Sequence, residues 1–121
     1  MKILVVDDSK LMHKMYEVML RRHELLHAYD GRDALTRLWE HEDTRVVVLD
    51  INMPLMDGLE FLEERRNDAR LRAIPVIVVS TEGREEDTHR ALELGADAYV
   101  KKPFAASELT EAIQRFTEAP Q

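Results

Sequence analysis

Cysteine is absent from this 121-residue chain, which excludes disulfides and thiolate-bound metals and suits a reducing compartment. Glycine is sparse, four residues with no two adjacent, so no Gly-rich loop is available to cradle the phosphates of a nucleotide. Long apolar runs are missing as well. The N-terminal one, Ile3-Leu4-Val5-Val6, meets two acids at Asp7 and Asp8, far short of a signal-peptide core or a membrane span. A soluble, cytoplasmic protein without membrane insertion is therefore expected. Positive charge is also in deficit. A net charge of -7 argues against direct nucleic-acid binding, which needs Lys and Arg to displace phosphate counterions.

What the chain does have is four short aliphatic runs, each ending in a reactive polar group. Ile3-Leu4-Val5-Val6 runs into Asp7-Asp8, and Val46-Val47-Val48-Leu49 into Asp50. Val76-Ile77-Val78-Val79 runs into Ser80, and Ala98-Tyr99-Val100 into Lys101-Lys102-Pro103. Unbroken Val/Ile/Leu runs separated by helical patterns predict parallel strands buried on both faces. With a further strand over Glu24 to Ala28, strand and helix signals alternate five times. The expected fold is an α/β, flavodoxin-like, doubly wound (βα)5 domain with a five-stranded parallel sheet in the order 2-1-3-4-5, spanning 1–121.

The helices carry their own signals. Ser9 is expected to cap a helix running to about Arg22, with Leu11, Met12, Met15, Val18 and Met19 as its inward face. Asp30-Gly31-Arg32-Asp33 and Asp57-Gly58-Leu59-Glu60 each place an acid three residues after an N-cap, and so open the second and third helices. A fourth helix from about Arg84 to Leu94 is the least apolar, with Ala91, Leu92 and Leu94 inward, and is stopped by Gly95. Ser107 is expected to cap the fifth, whose inward stripe is Leu109, Ala112, Ile113 and Phe116. Trp39 is expected to pack its helix or cover its end, and Glu63-Glu64-Arg65-Arg66 to form a solvated face. His13, His23, His27, His41 and His89 show no metal-ligand spacing and are assigned helix-face or surface roles.

Ligands of a doubly wound sheet bind outside the C-terminal strand ends, where the strand order reverses. That edge gathers Asp7, Asp8, Asp50, Ser80 and Lys102. Two carboxylates about 4 Å apart repel by about 4 kcal/mol at an effective dielectric of roughly 20, so they coexist when one protonates or a cation joins them. An oxygen-only site without His or Cys favours Mg²⁺ or Mn²⁺. A carboxylate can also accept a phosphoryl group. Phosphoryl transfer asks the protein mainly to position the group and neutralise the charge on its equatorial oxygens. Asp50 is the candidate nucleophile, with the metal, the Lys102 ammonium and the Ser80 hydroxyl each taking one oxygen.

The Asp7-Asp8 pair, Asp50 followed by Met53-Pro54-x-x-Asp57-Gly58, Ser80 after its aliphatic run, and Lys102-Pro103-Phe104 together resemble the receiver domain of two-component response regulators. The resemblance covers essentially the whole chain in order and spacing. It implies a phosphorylation-activated signalling module that takes a phosphoryl group from a sensor histidine kinase or a phosphotransfer protein. Asp50 would be the phosphoacceptor; Asp8, Asp50 and the main-chain carbonyl of Asn52 would hold Mg²⁺, with Asp7 assisting through water. Ser80 and Tyr99 would form the switch, Lys102 would pair with the phosphoryl group, and the bond before Pro103 would be cis.

The same resemblance implies that helix 4, strand 5 and helix 5 form the face read by an output protein or domain. It implies no enzyme in the ordinary sense, only self-catalysed phosphotransfer and dephosphorylation. Asp7-Asp8-Ser9, Asn52, Glu82 and Tyr99 are similar to chemotaxis-type receivers. Asn52, Thr81 and Glu82 would tune the rate, Thr81 standing where the family often has Ala or Gly. A phosphate sink or phosphorelay intermediate is the alternative within the family. An aspartyl-phosphate phosphatase fits less well, because it needs an acid two residues after the nucleophile, where this chain has Asn52.

Overall fold

A computed structural model, describing residues 1–81 and 83–117, contains five strands: Lys2–Val6 (β1), Glu24–Ala28 (β2), Thr44–Asp50 (β3), Val76–Thr81 (β4) and Ala98–Lys102 (β5). They pair in parallel in the order β2-β1-β3-β4-β5, the flavodoxin-like arrangement that the sequence predicts. Helices Lys10–Met19 (α1), Gly31–Glu40 (α2), Gly58–Arg66 (α3), Glu85–Glu93 (α4) and Ala106–Thr117 (α5) connect them, with a short 3₁₀ turn at Leu71–Ala73.

The sheet is buried on both faces, and period-2 alternation divides its side chains between two cores. Leu4, Val6, Val47, Leu49, Val76 and Val78 face α2, α3 and α4, where they meet Ala34, Leu38, Phe61, Leu62 and Ala91. Ile3, Val5, Val46, Val48, Ile77 and Val79 face α1 and α5, where they meet Tyr16, Leu20, Leu109, Ala112 and Ile113. Each such aliphatic side chain contributes about 1.5–3 kcal/mol by leaving water. This explains why the strands read as continuous aliphatic runs rather than as alternating ones.

Register aligns the strand ends. Val6 pairs with Leu49, and Asp50 with Val79, so Asp7 follows β1 level with Asp50. Ser80 is the next residue out on β4 and pairs with Lys101, while Thr81 pairs with Lys102.

Three helix starts follow their caps. Ser9 Oγ accepts from the Met12 N–H at 3.2 Å, and Asp30 accepts from Asp33 at 2.8 Å. Asp57 and Glu60 form a reciprocal capping box. The two Asp-Gly pairs have a second cause. A Cβ on Gly31 would stand 2.6 Å from Met56 Cγ, and one on Gly58 2.6 Å from the Asp50 carbonyl oxygen.

Several expectations are corrected. Of the expected inward face of α1, Met12 and Met19 pack against the core, whereas Leu11, Met15 and Val18 are exposed at 69%, 47% and 71% and their places are taken by His13, Tyr16 and Leu20. Leu92 is turned outward, and Thr88 takes its inward place beside Ala91. Ser107 lies inside α5. The backbone N–H of Ala105 is the one capped, by Glu108 Oε1 at 3.0 Å. Arg65 is buried rather than solvated: it donates to the carbonyls of Arg72 at 3.1 Å and Ile74 at 2.6 Å, and lies 3.7 Å from Asp97. Trp39 is half exposed under the Arg70 guanidinium, 4.4 Å from its ring centroid. Arg70 also donates to the last carbonyls of α2, at Leu38 and Trp39.

Candidate functional site

The three carboxylates meet where β1 and β3 end. Asp7, Asp8 and Asp50 each offer an oxygen within 4.8 Å of the others. It is the one such grouping of His and carboxylate ligands among the described residues.

Asp7 is almost fully buried, at 1% exposure, and is fixed by its surroundings. Its N–H donates to the Ala28 carbonyl at 3.1 Å. Its Oδ1 accepts from the Ser9 N–H at 2.8 Å. Its Oδ2 has no hydrogen-bond partner and lies 3.5 Å from Lys102 Nζ. Asp8 is exposed at the mouth of the site.

Asp50 is half-buried, and its Oδ1 accepts from the Ile51 N–H at 2.9 Å. Burial pushes its carboxyl up to about 6. Lys102 opposes that rise, Asp7 reinforces it, the Ile51 N–H opposes it and Asp8 adds a smaller upward push. This balance describes a carboxyl in a site short of positive charge. An Asp7 oxygen without a hydrogen bond and an Asp50 carboxyl pushed upward by burial, with Asp7 and Asp8 adding to the rise, are what a hard divalent cation relieves, so an oxygen-ligated Mg²⁺ fits the donor set.

The remaining residues surround this centre. Ser80 is buried, at 5% exposure, at the end of β4, whereas Thr81 beside it points outward. Lys102 approaches from β5, and the Lys102–Pro103 bond is cis. Lys101 is exposed and reaches Glu85 at 3.7 Å. Asn52 is exposed on the loop after Asp50. Tyr99 is 54% exposed. A cavity of about 230 Å³ opens between Ser80 and Tyr99, also lined by Thr88, Leu92 and Lys101. Glu82 lies outside the described residues.

Two residues bordering the site were not anticipated. Tyr16, 1% exposed, has its hydroxyl pushed above the ordinary phenol range, by burial first and then by Asp7 and Asp50. His13, 2% exposed, donates from Nε2 to the main-chain oxygen of Asp7 at 2.7 Å. Both lie on the helical stripe at positions 12, 13, 16, 19 and 20, of which hydropathy alone signals only Met12, Met19 and Leu20.

Known proteins agree with this geometry. Residues 3–114 match the family model of the response regulator receiver domain. Chemotaxis protein CheY1 of Helicobacter pylori is 38% identical over 117 residues, covering 94% of each chain. The CheY homolog of Campylobacter jejuni is 37% identical, covering 94% of this chain and 90% of its own. Among solved structures, CheY4 of Vibrio cholerae superposes with a TM-score of 0.85 at 32% identity, covering 95% of this chain and 97% of that one. The receiver domain of NtrX from Brucella abortus gives 0.87 at 31% identity, covering 98% and 99%. Among the described residues no helix is long and apolar enough to cross a membrane. With its order of strands, its acidic triad and its pairing lysine, the chain belongs to the family of response-regulator receiver domains.

Proposed function

We propose that this protein is a phosphorylation-controlled switch, in which Asp50 takes a phosphoryl group from a phosphohistidine of a sensor kinase or phosphotransfer protein. The observation that carries this reading is the convergence of Asp7, Asp8 and Asp50 within 4.8 Å beside Lys102. Asp50 Oδ1 is held by the Ile51 N–H, which leaves Oδ2 to attack phosphorus. The P–N bond breaks, the electron pair returns to the donor imidazole, and an acyl phosphate forms on Asp50. Asp8, Asp50 and the main-chain carbonyl of Asn52 would hold Mg²⁺, with Asp7 acting through water. Bound there, Mg²⁺ supplies positive charge to the carboxylates and to one phosphoryl oxygen. Lys102 and Ser80 serve the other two.

The protein is a phosphoacceptor that assists its own transfer and hydrolysis, not an enzyme turning over an external substrate. Asn52 cannot protonate a leaving group, which an aspartyl-phosphate phosphatase would require. Phosphohistidine donors are charged from ATP, which puts the protein's work in the cytoplasm. The output partner reads the face made by α4, β5 and α5, where Tyr99 and the cavity beside Ser80 lie. Incubation with Mg²⁺ and acetyl phosphate is expected to add one phosphoryl group, labile to hydroxylamine, and none to Asp50→Asn. Label retained by Asp50→Asn, or found on a histidine, refutes the assignment.

A further inference from the structure

His13 lies on the inward face of α1, and the phosphotransfer chemistry just described makes no use of it. Both ring nitrogens are engaged. Nε2 is 2.7 Å from the main-chain oxygen of Asp7, and Nδ1 is 2.7 Å from Nδ1 of His27 on β2. Two rings hold its plane: Tyr29 with centroids 4.3 Å apart, and His27 at 4.8 Å. A carbonyl oxygen only accepts, so His13 carries a hydrogen on Nε2. Two nitrogen lone pairs do not face each other at 2.7 Å, so the two Nδ1 atoms share one hydrogen. On its other side, His27 Nε2 lies 3.7 Å from Glu17 Oε1. A chain of polar groups thus runs from Glu17 at the surface through two imidazoles to the Asp7 carbonyl.

That carbonyl belongs to the peptide that joins Asp7 to Asp8. The Asp7 N–H and Oδ1 are already tied to Ala28 and Ser9. The bond from His13 adds the third restraint and fixes the plane of the Asp7–Asp8 peptide. The orientation of that plane determines the direction in which the exposed Asp8 side chain leaves the backbone. We infer that His13 is a positioning residue: its Nε2–H holds the Asp7 carbonyl so that Asp8 is aimed into the cation site, and His27 keeps the hydrogen of His13 on the nitrogen that does this. The inference rests on the reading of Asp7, Asp8 and Asp50 as a divalent-cation site.

Outer partners of metal ligands, when removed, typically weaken affinity about 10–100-fold. A merely space-filling His13 would instead be replaceable by any side chain of similar volume. Gln can present an N–H near the position of imidazole Nε2, whereas Met fills the space without a donor. Mg²⁺ affinity is measured by calorimetry on the wild-type protein, His13→Gln and His13→Met, with thermal unfolding in parallel. His13→Met is expected to bind Mg²⁺ about tenfold more weakly, and His13→Gln to recover most of that loss irrespective of the small differences in stability. Equal affinity in wild type and His13→Met overturns the inference and leaves the cation site standing. No Mg²⁺ binding by the wild type overturns the cation site itself. Imidazole ¹⁵N spectra of the wild-type protein decide the hydrogen placement even if a variant fails to fold. A protonated Nε2 on His13 is expected, and an unprotonated Nε2 there overturns the inference.

Discussion

Lys102 Nζ stands 3.5 Å from Oδ2 of Asp7, the one carboxylate oxygen of that residue without a hydrogen bond. The site therefore holds its ammonium on a buried acid beside Asp50, and a phosphoryl group on Asp50 would offer it a second, more highly charged partner. Removal of the ammonium leaves Asp7 Oδ2 buried without compensation, which typically costs about 1–3 kcal/mol. Lys102→Ala is expected to unfold at lower urea by about that amount. It should also accept phosphoryl more slowly and transmit the signal poorly. Unchanged stability in Lys102→Ala would show that the contact contributes nothing to the resting fold.

Asp50 gives the site its pH dependence. Its carboxyl is held near 6 rather than 3.8, by burial before any other cause, and only the carboxylate attacks phosphorus. Phosphorylation by acetyl phosphate at limiting Mg²⁺ should rise as pH passes through about 6, and saturating Mg²⁺ should move the midpoint lower, because a cation favours the charged form. The linkage to stability has the opposite sense. A folded-state acid with a raised pKa contributes stability below its ordinary pKa and loses it as pH rises through the folded value. In metal-free buffer Asp50→Asn should therefore be more stable than wild type at pH 8, and the gap should close towards pH 4. A gap constant across that range would mean that Asp50 titrates as an ordinary carboxylate.

Gly58 ties the third helix to the backbone at Asp50 and Ile51. Its N–H donates to the Ile51 carbonyl at 2.8 Å, and a Cβ there would lie 2.6 Å from the Asp50 oxygen and 2.8 Å from Ile51 Cα. Both are backbone atoms that cannot step aside without moving Asp50. Gly58→Ala is expected to lose about 1–3 kcal/mol through overpacking, outweighing the roughly 1 kcal/mol that alanine gains within a helix, and to slow phosphorylation. Gly83→Ala is the control. Gly83 has φ 88 and open space around it, so alanine there strains its own backbone without displacing Asp50. Equal phosphorylation rates in the two variants would remove the proposed tie.

The strands and the acidic centre were legible because one physical cause wrote both into the sequence. A parallel strand buried on two faces must be aliphatic throughout, and its last residue, leaving the sheet at the ligand edge, is free to be polar. Val46 to Asp50 shows both features in five consecutive residues. The helices were less legible because helical spacing fits more than one face. On α1, Leu11, Met15 and Val18 form as regular a stripe as Met12, Tyr16 and Met19, so the expected face mixes the two, right at Met12 and Met19 and wrong at Leu11, Met15 and Val18. The face also contains Tyr16 and His13, and the burial of His13 is matched by the Asp7 carbonyl just beyond β1 and by His27 on β2. Arg65 is hidden for the same reason: within Glu63-Glu64-Arg65-Arg66 nothing local reveals that carbonyls of Arg72 and Ile74 accept from its guanidinium. Ser107 lies within α5 because Glu108 reaches back to the Ala105 N–H, two residues earlier than a hydroxyl-based expectation places the cap.

Ser80 is buried at the end of β4, Tyr99 is half exposed on β5, and a cavity of about 230 Å³ lies between them. A phosphoryl oxygen on Asp50 is expected to accept a hydrogen bond from the Ser80 hydroxyl and draw it inward, enlarging a space for the Tyr99 ring to enter. Tyr99 would then leave the face that α4 and β5 present to a partner. Such a change is a shift between populations, so a partner stabilises one of them only by binding it more tightly; about 3 kcal/mol of preference moves the balance roughly a hundredfold. Ser80→Ala should accept phosphoryl yet leave the surface in its resting state, whereas Tyr99→Ala should abolish the difference between the two surfaces. Amide chemical shifts in the presence of the beryllofluoride mimic of the phosphoryl group test this directly. Changes are expected from Arg84 through Tyr99 in the wild type and should be confined to the neighbourhood of Asp50 in Ser80→Ala. A wild-type protein whose α4 and β5 stay silent would be a phosphate sink, taking the phosphoryl group without passing on a signal.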